Sequence, residues 1–188
     1  MIQNGGALPP VVDPVTPVPG RIVSSSRLER YKGYHRVIEA LPILRSSLPD
    51  AHLVILGSGP YEHELRLEVA DHVSIDPRDR GSMARELASA QTLAAFSDYE
   101  AHPVAVMEGL ALGVPVVGFN VAGIGDLVEE GLVTGLSPVA HPEATAEALR
   151  TTMEGGRRSL ADTVSLPTWE TCADQLADVY RAVSAETK

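Results

Sequence analysis

Residues 97–117 read SDYEAHPVAVMEGLALGVPVV and contain the longest nearly unbroken apolar run of the chain. Its central part, 103–112, is almost wholly apolar and predicts a helix. Gly113 is a natural end for that helix, because glycine tolerates the backbone conformation found just after helix C-termini. The run 114–118 is rich in valine and predicts a buried strand. A helix followed at once by an apolar strand is the repeating unit of a parallel sheet covered by helices.

The same alternation continues in both directions from this segment. Strands are predicted over 21–25, 52–56, 73–75, 92–96 and 114–118, with a further strand within 131–138. Helices are predicted over 33–48, 61–70, 82–90, 103–112, 124–130, 141–154 and 168–185. Short apolar strands separated by amphipathic helices predict an α/β fold, a Rossmann-like doubly wound parallel sheet with a C-terminal helix.

Three parts of the chain differ in composition. Residues 1–20 are rich in proline, lack the basic and apolar regions of a signal peptide, and predict an extended linker. Residues 21–155 form the predicted Rossmann-like domain. Residues 156–188 predict a loop and a C-terminal helix whose apolar face must dock on another surface. That face carries Trp169, Cys172, Leu176, Val179, Tyr180 and Val183.

Composition restricts the classes of partner. The 188 residues include 15 Lys and Arg against 25 Asp and Glu, a formal charge of −10. Such a chain lacks the positive field that non-specific binding to nucleic acid or anionic membranes needs, so neither partner is expected. No apolar run reaches the roughly 18 to 20 residues of a membrane span. The single Cys172 can form no intramolecular disulfide, which fits a reducing compartment and predicts a cytoplasmic protein.

A basic cluster lies just after the first predicted strand. It consists of Arg27, Arg30, Lys32 and Arg36. Ligands of open α/β sheets bind outside the carboxyl ends of the strands, so position and charge both favour an anionic ligand. The alternative is a solvated loop whose basic side chains serve solubility.

Residues 57–62, Gly-Ser-Gly-Pro-Tyr-Glu, follow the second predicted strand and partly match the dinucleotide-binding pattern. Glu62 stands at the third glycine position, where a side chain obstructs close packing of helix and sheet. The pattern therefore fails, which disfavours a nicotinamide dehydrogenase. A tight strand-to-helix turn explains Gly57 and Gly59 better, and Asp76 after the third strand fits a cap or turn residue.

Two carboxylates, Glu100 and Glu108, stand eight positions apart around the predicted helix 103–112. An acid among apolar helix residues is costly to bury unless it has a hydrogen-bond donor, and a sugar or ribose hydroxyl would be one. The alternative for Glu108 is an exposed position on the solvent face of an amphipathic helix.

Four segments of the chain resemble the motifs of a known protein family. Glu100-x7-Glu108 with the following Gly-Leu-Ala-Leu-Gly-Val-Pro-Val-Val resembles the signature of the retaining GT-B glycosyltransferases of family GT4. The segments 27–33, 53–60 and 122–128 resemble, in the same order and spacing, the family's Gly-Arg-Leu…Lys-Gly, its second strand and turn, and its Gly-Gly-Ile-Pro-Glu-Leu-Val. The resemblance covers about residues 21–154, and Trp169-Glu170 with the final helix resembles the family's C-terminal helix.

The resemblance implies that the chain is the C-terminal, donor-binding domain of a retaining glycosyltransferase, one half of a GT-B fold. Such an enzyme transfers a hexosyl group from a nucleoside diphosphate sugar, such as a UDP- or GDP-sugar, to an acceptor. Residues 2–5 resemble the end of the family's interdomain connector, which implies that 1–20 is an interdomain linker and that the acceptor-binding N-terminal domain is missing. We then expect the chain alone to be inactive, and the full-length enzyme to be cytoplasmic or attached peripherally to a membrane.

The resemblance also implies individual roles. Arg27 and Lys32 match the diphosphate-binding pair, whose charge makes a metal ion unnecessary, and the sequence has no Asp-x-Asp to hold one. Glu100 matches the catalytic acid at the donor-sugar hydroxyls, and Glu108 matches the acid at the ribose hydroxyls. Where the family usually has Gly-Phe-Gly before the helix, this chain has Ala101-His102-Pro103. The implied donor-binding set is Arg27, Lys32, Gly57, Ile75, Asp76, Glu100, Ala101, His102, Val104 and Glu108, with the base at the backbone of Ile75 and Asp76 and with no metal ligand.

Two alternatives to a transferase domain remain at this point. The chain could be a stand-alone module that binds a nucleotide or a nucleotide sugar, or an interaction domain. It could also be a domain of the same fold that uses a nucleotide sugar in epimerisation.

Overall fold

The computed structural model of the protein describes residues 15–69, 71–76, 80–157 and 168–186. Within these ranges one sheet is built from six strands. The strands are β1 (Arg21–Ser25), β2 (His52–Leu56), β3 (Val73–Asp76), β4 (Thr92–Ala95), β5 (Val116–Phe119) and β6 (Val133–Leu136). The helices are α1 (Tyr34–Ser47), α2 (Glu62–Glu68), α3 (Arg80–Ser89), α4 (Val104–Ala111), α5 (Ala122–Glu129), α6 (Pro142–Gly155) and α7 (Trp169–Glu186).

The strand order is β3-β2-β1-β4-β5-β6, and every neighbouring pair is parallel. From β1 the chain first extends the sheet through β2 and β3, then returns to the other side of β1 with β4. The crevice outside the carboxyl ends of β1 and β4, where the order reverses, is the usual ligand-binding position in such sheets. The predicted Rossmann-like, doubly wound sheet is confirmed.

Side chains on the two faces of the sheet belong to two separate hydrophobic clusters. Ile22 of β1 packs in the cluster that includes α1 and α6, and its neighbour Val23 packs in the cluster that includes α3, α4 and α5. Successive strand residues point to opposite faces, so a sheet covered on both sides needs apolar residues at consecutive positions. This is why the strands read as unbroken apolar runs.

The ends of several elements differ from the prediction. β5 begins at Val116 rather than at residue 114, because Val114 donates its N–H to the Gly109 carbonyl in the turn after α4. Pro115, the next residue, has no N–H to give to a strand ladder. The predicted sixth strand is present as β6. A 3-10 turn at Arg30–Lys32, which the apolar pattern did not predict, leads from β1 towards α1.

The terminal parts are described only in part. Residues 1–14 of the predicted linker and 158–167 of the predicted loop lie outside the described residues. The C-terminal helix is present as α7, but most of the face predicted to dock is exposed in the part of the chain that the structure describes; its exposed members are Trp169, Leu176, Val179, Tyr180 and Val183. Among the described helices, none combines the length and hydropathy needed to span a bilayer.

Candidate functional site

A cavity of about 760 Å³ opens at the carboxyl ends of β1, β2 and β4. We call it the β1/β4 cavity; strand ends form one part of its lining, and α4 with the loop before it forms another. Most of the residues singled out from the sequence lie on its wall. These are Arg27, Lys32, Gly57, Glu100, His102, Val104 and Glu108.

An ion pair joins two of these residues across the cavity wall. The Nζ atom of Lys32 lies 2.5 Å from Oε1 of Glu100, and the two side chains are only 12% and 18% exposed. The hydroxyl of Ser97 donates to the same Oε1 at 3.1 Å. The Lys32 ammonium also lies 5.0 Å from the ring centre of Tyr31, within the range of a cation–π contact. The structure thus brings the predicted diphosphate-binding cation and the predicted catalytic acid into direct contact.

Arg27 occupies a more open position than Lys32. Its side chain is 71% exposed, and its Nε lies 3.1 Å from Oε1 of Glu29. A cation this exposed to water is strongly screened, so its attraction for an anion in the cavity is weaker than that of Lys32. Within the basic cluster, Lys32 is therefore largely buried in the cavity wall, whereas Arg27 is exposed at its rim.

The glycine-rich turn after β2 packs against the loop that carries Arg27. Leu28, which is buried, donates its N–H to the Ser58 carbonyl, and Tyr61 donates to the Leu28 carbonyl. A Cβ atom on Gly59 would lie 2.4 Å from the Leu28 carbonyl oxygen, so only glycine allows this approach. Residues 57–60 thus form the predicted tight strand-to-helix turn, and this turn supports the cavity wall.

Glu108 is buried on α4, with 4% of its surface exposed, and lines the β1/β4 cavity. Its neighbours Val106, Met107 and Leu110 pack on the sheet. The alternative of a solvent-exposed Glu108 is therefore wrong. A buried carboxylate on a cavity wall can accept hydrogen bonds from a ligand with adjacent hydroxyl groups.

The loop before α4 is held from two sides. The Val104 N–H donates to the His102 carbonyl at 2.9 Å, and the role of Val104 toward the donor stays a prediction. Gly123, at the start of α5, donates its N–H to the Glu100 carbonyl at 2.8 Å. Ala122 beside it has a φ of 41°, which alanine rarely adopts. The 122–128 motif therefore supports the backbone that carries Glu100.

Burial of Tyr34 fixes the end of β1 beside the cavity. Its hydroxyl oxygen lies 2.6 Å from Oγ of Ser26, and it donates to the Ser26 carbonyl at 3.0 Å. Burial raises the pKa of the Tyr34 phenol to about 12, although its hydrogen bonds with Ser26 lower it. The phenol consequently stays neutral, and its hydrogen bonds remain intact, throughout the physiological range.

Three of the expected residues do not line the cavity. Ile75 and Asp76 end β3, and the Asp76 carbonyl accepts the Gly57 N–H at 3.3 Å, which places β3 one strand away from the wall. Ala101 is exposed, and its carbonyl faces Gly123. Their roles toward a base and a phosphate stay predictions. Within the described ranges, no group of three or more His, Cys, Asp or Glu residues is placed to hold a metal ion.

Ser97 is the residue that sequence reasoning missed. It lies inside the quoted segment and lines the cavity, but a single serine after a strand carries no periodic signal. Its spacing of three residues from Glu100 is the one feature that could have indicated the contact.

Comparison with known proteins places the chain in a family. The model of the family described as "Glycosyl transferases group 1" matches residues 18–163. The amylovoran biosynthesis glycosyltransferase AmsK of Erwinia amylovora is 32% identical over 149 residues, which is 73% of this chain and 37% of AmsK. The GDP-mannose-dependent alpha-(1-6)-phosphatidylinositol monomannoside mannosyltransferase of Mycolicibacterium smegmatis is 32% identical over 164 residues, 79% of this chain and 42% of that protein. The chain thus spans about two fifths of the length of these relatives.

The fold is shared with solved glycosyltransferase structures. Anabaena Alr3699/HepE, crystallised in complex with UDP and glucose, superposes with a TM-score of 0.70 over 87% of this chain and 48% of HepE, at 20% identity. The sheet order, the helices on both faces and the position of the β1/β4 cavity agree with the Rossmann-like half of a GT-B fold expected from the sequence.

Proposed function

This chain belongs to the family of glycosyl transferases group 1, and on that premise we propose that it is the donor-binding domain of a retaining glycosyltransferase. The whole protein would transfer a hexosyl group from a nucleoside diphosphate sugar to an acceptor. The observation that carries the proposal is the convergence of Lys32, Glu100 and Glu108 on one cavity at the reversal point of the sheet.

The proposed donor binds with its charged part at Lys32. The ammonium group has three donors and makes one hydrogen bond to Glu100, so it can also bind a diphosphate oxygen. There it would offset the negative charge that builds on the leaving nucleoside diphosphate as the glycosidic bond breaks. Arg27 at the rim adds attraction at longer range. Because these cations supply the positive charge, we propose a metal-independent reaction.

The two carboxylates take different parts of the donor in this proposal. Glu108, buried in the wall, accepts hydrogen bonds from the vicinal hydroxyls of the ribose. Glu100 faces the sugar, and its charge stabilises the positive charge that develops on the sugar ring in an oxocarbenium-like transition state. We also propose that the transferred sugar keeps its configuration. Retention would follow if the nucleotide leaves from the same face of the sugar that the acceptor enters.

The proposal names a class of donor rather than one nucleotide. One relative named above is GDP-mannose-dependent, and HepE was crystallised with UDP.

We further propose that the acceptor binds a second domain of the whole protein, since the relatives are more than twice as long as this chain. A reducing compartment is compatible with the single Cys172, and we place the whole protein in the cytoplasm.

Calorimetric titration of the chain with UDP, GDP and ADP tests the proposal. We expect at least one diphosphate to bind, and Lys32→Ala to weaken that binding about tenfold or more. Arg150→Ala on α6 is the matched control, because it removes the same charge from a surface ion pair outside the cavity. Absence of binding for all three diphosphates would show that the donor-binding proposal is wrong.

A transfer assay with the full-length protein separates the alternatives. A transferase forms a glycosylated product only when an acceptor is present, whereas an epimerase changes the sugar nucleotide without one. A stand-alone binding module does neither.

A further inference from the structure

Among the residues that the structure describes, partners hold Glu100 through one of its two carboxylate oxygens. Oε1 accepts hydrogen bonds from the Ser97 hydroxyl at 3.1 Å and from the Lys32 ammonium at 2.5 Å. Oε2 accepts no hydrogen bond from any residue in the described ranges. Because Glu100 lines the β1/β4 cavity, the oxygen that remains available to a ligand is Oε2.

From this arrangement we infer that Ser97 is a positioning residue, which holds Glu100 so that it presents Oε2 to the donor sugar. The inference rests on the proposed function of the cavity. It adds a residue that acts on the sugar through Glu100, because it fixes the rotamer of the carboxylate that faces the sugar.

The hydroxyl of Ser97 is itself held rigidly. Ser97 is 4% exposed and follows the buried Phe96 at the end of β4. A Cβ atom on Gly33 would lie 2.0 Å from the Phe96 carbonyl oxygen, so the backbone before Ser97 packs tightly against the start of α1. On the other side, Asp98 donates its N–H to the Tyr31 carbonyl at 2.7 Å. A serine whose backbone is fixed on both sides is a suitable support for a carboxylate that must keep one orientation.

Ser97 and Lys32 hold Glu100 in physically different ways. The ammonium of Lys32 is the proposed partner of the diphosphate, so in the complex it is shared between the bound donor and Glu100 and holds Glu100 less firmly. The hydroxyl of Ser97 is neutral and enclosed, and a phosphate group several ångströms away has little attraction for it. When the donor is bound, Ser97 is therefore the partner that keeps Glu100 in place.

The matched control, the last residue of α3, lies just before the amino end of β4. Ser89, which is also buried, accepts a hydrogen bond from Arg21, and Arg21 pairs with Glu86 at 2.8 Å. Ser89→Ala thus removes a buried hydroxyl beside an Arg–Glu ion pair, just as Ser97→Ala removes one beside a Lys–Glu ion pair. Ser89 lies at the amino ends of the strands, away from the cavity.

The experiment compares the affinities of the full-length protein for the nucleoside diphosphate and for the corresponding nucleotide sugar, together with kcat and the donor KM for transfer. In Ser97→Ala we expect kcat to fall about tenfold, since the lost hydrogen bond is to a charged group. The extra affinity contributed by the sugar should fall as well, while the affinity for the diphosphate alone stays within about twofold of wild type. Ser97→Thr, which keeps the hydroxyl, should restore kcat. Ser89→Ala should change none of these quantities.

Ser97→Cys extends the test if Ser97→Ala does not fold, because it keeps nearly the same volume with a much weaker donor. The inference is overturned if Ser97→Ala, or Ser97→Cys in its place, retains wild-type kcat. It is also overturned if the diphosphate and the nucleotide sugar lose affinity equally. If instead the wild-type protein binds no nucleotide sugar, the proposed function fails first and the inference fails with it, so the two failures are distinguishable.

Discussion

Replacing Glu100 by Gln should strengthen the binding of a sugar-free nucleoside diphosphate, although it removes a residue of the proposed site. In the unliganded protein the Lys32 ammonium is paired with Glu100 at 2.5 Å, and both side chains are largely buried. A diphosphate that binds Lys32 therefore comes close to the negative charge of Glu100. Gln at this position keeps the shape of the side chain and removes that repulsion.

The size of the effect follows from the geometry. A phosphate oxygen that shares the ammonium with Glu100 lies about 5 Å from the carboxylate, given ordinary hydrogen-bond lengths. Two unit charges at about 5 Å repel each other by about 1 kcal/mol at the dielectric constant of water and by about 3 kcal/mol at an effective value of about 20, so about 1 kcal/mol is the lower bound for this partly buried site. One kcal/mol corresponds to roughly a fivefold change in the dissociation constant. Glu108→Gln should act in the opposite direction and weaken the binding of the diphosphate by about 1 to 2 kcal/mol. It replaces the charged acceptor of the ribose hydroxyl hydrogen bonds by a neutral one.

Titration calorimetry of wild type, Glu100→Gln and Glu108→Gln measures these differences at low ionic strength, where screening is least. In the full-length enzyme Glu100→Gln should in addition lower kcat at least tenfold, because its charge acts mainly in the transition state. If Glu100→Gln weakens diphosphate binding as much as Glu108→Gln does and leaves kcat intact, the roles assigned to the two acids are wrong.

Three further predictions concern binding, backbone strain and alkaline stability. Lys32→Ala should cost about 1.5 to 3 kcal/mol of diphosphate binding by calorimetry, and the exposed Arg27→Ala clearly less; equal losses would contradict the burial argument. Ala122 is exposed and has a positive φ, a conformation that a β-branched residue tolerates poorly and glycine tolerates well. Ala122→Val should therefore lower the free energy of unfolding measured in urea by about 1 to 2 kcal/mol, and Ala122→Gly should not lower it. Tyr34 has a folded-state pKa of about 12, above the unfolded value near 10, so its contribution to stability is fully present below pH 10 and is lost as pH rises towards 12. Between pH 8 and 11 that loss is about 1.4 kcal/mol, and a Tyr34→Phe variant with the same alkaline dependence as wild type would refute this assignment.

The strands and helices were predictable because their burial imposes a period on the sequence. Ile22 and Val23 both had to be apolar, as each faces a different cluster, and that requirement is visible as an unbroken apolar run. The ends of the elements depend on single hydrogen bonds instead. Because the Val114 N–H donates to the Gly109 carbonyl, β5 begins two residues later than predicted. The apolar pattern gives no sign of this hydrogen bond.

The candidate site was predictable where a residue matched a motif and was missed where the contact is purely spatial. Lys32 and Glu100 were named separately, but their pairing across 68 positions of sequence exists only in the fold. The burial of Glu108 was left open, because α4 is apolar around most of its circumference and its spacing does not show which side faces the sheet. For α7 the amphipathic pattern predicted the helix correctly, while the surface that its apolar face requires is not supplied by the described residues.

The position of the bound nucleoside diphosphate can be mapped by NMR, from the backbone amide shifts during titration with the tightest-binding diphosphate. We expect shifts that saturate together at Lys32, Gly57, Glu100 and Glu108 around the β1/β4 cavity. We expect no shifts around the second cavity, of about 360 Å³, which Thr151 and Gly155 line beside the amino ends of β5 and β6. Shifts centred on that second cavity, or none at the β1/β4 cavity when binding is saturated, would show that the donor site is not the β1/β4 cavity.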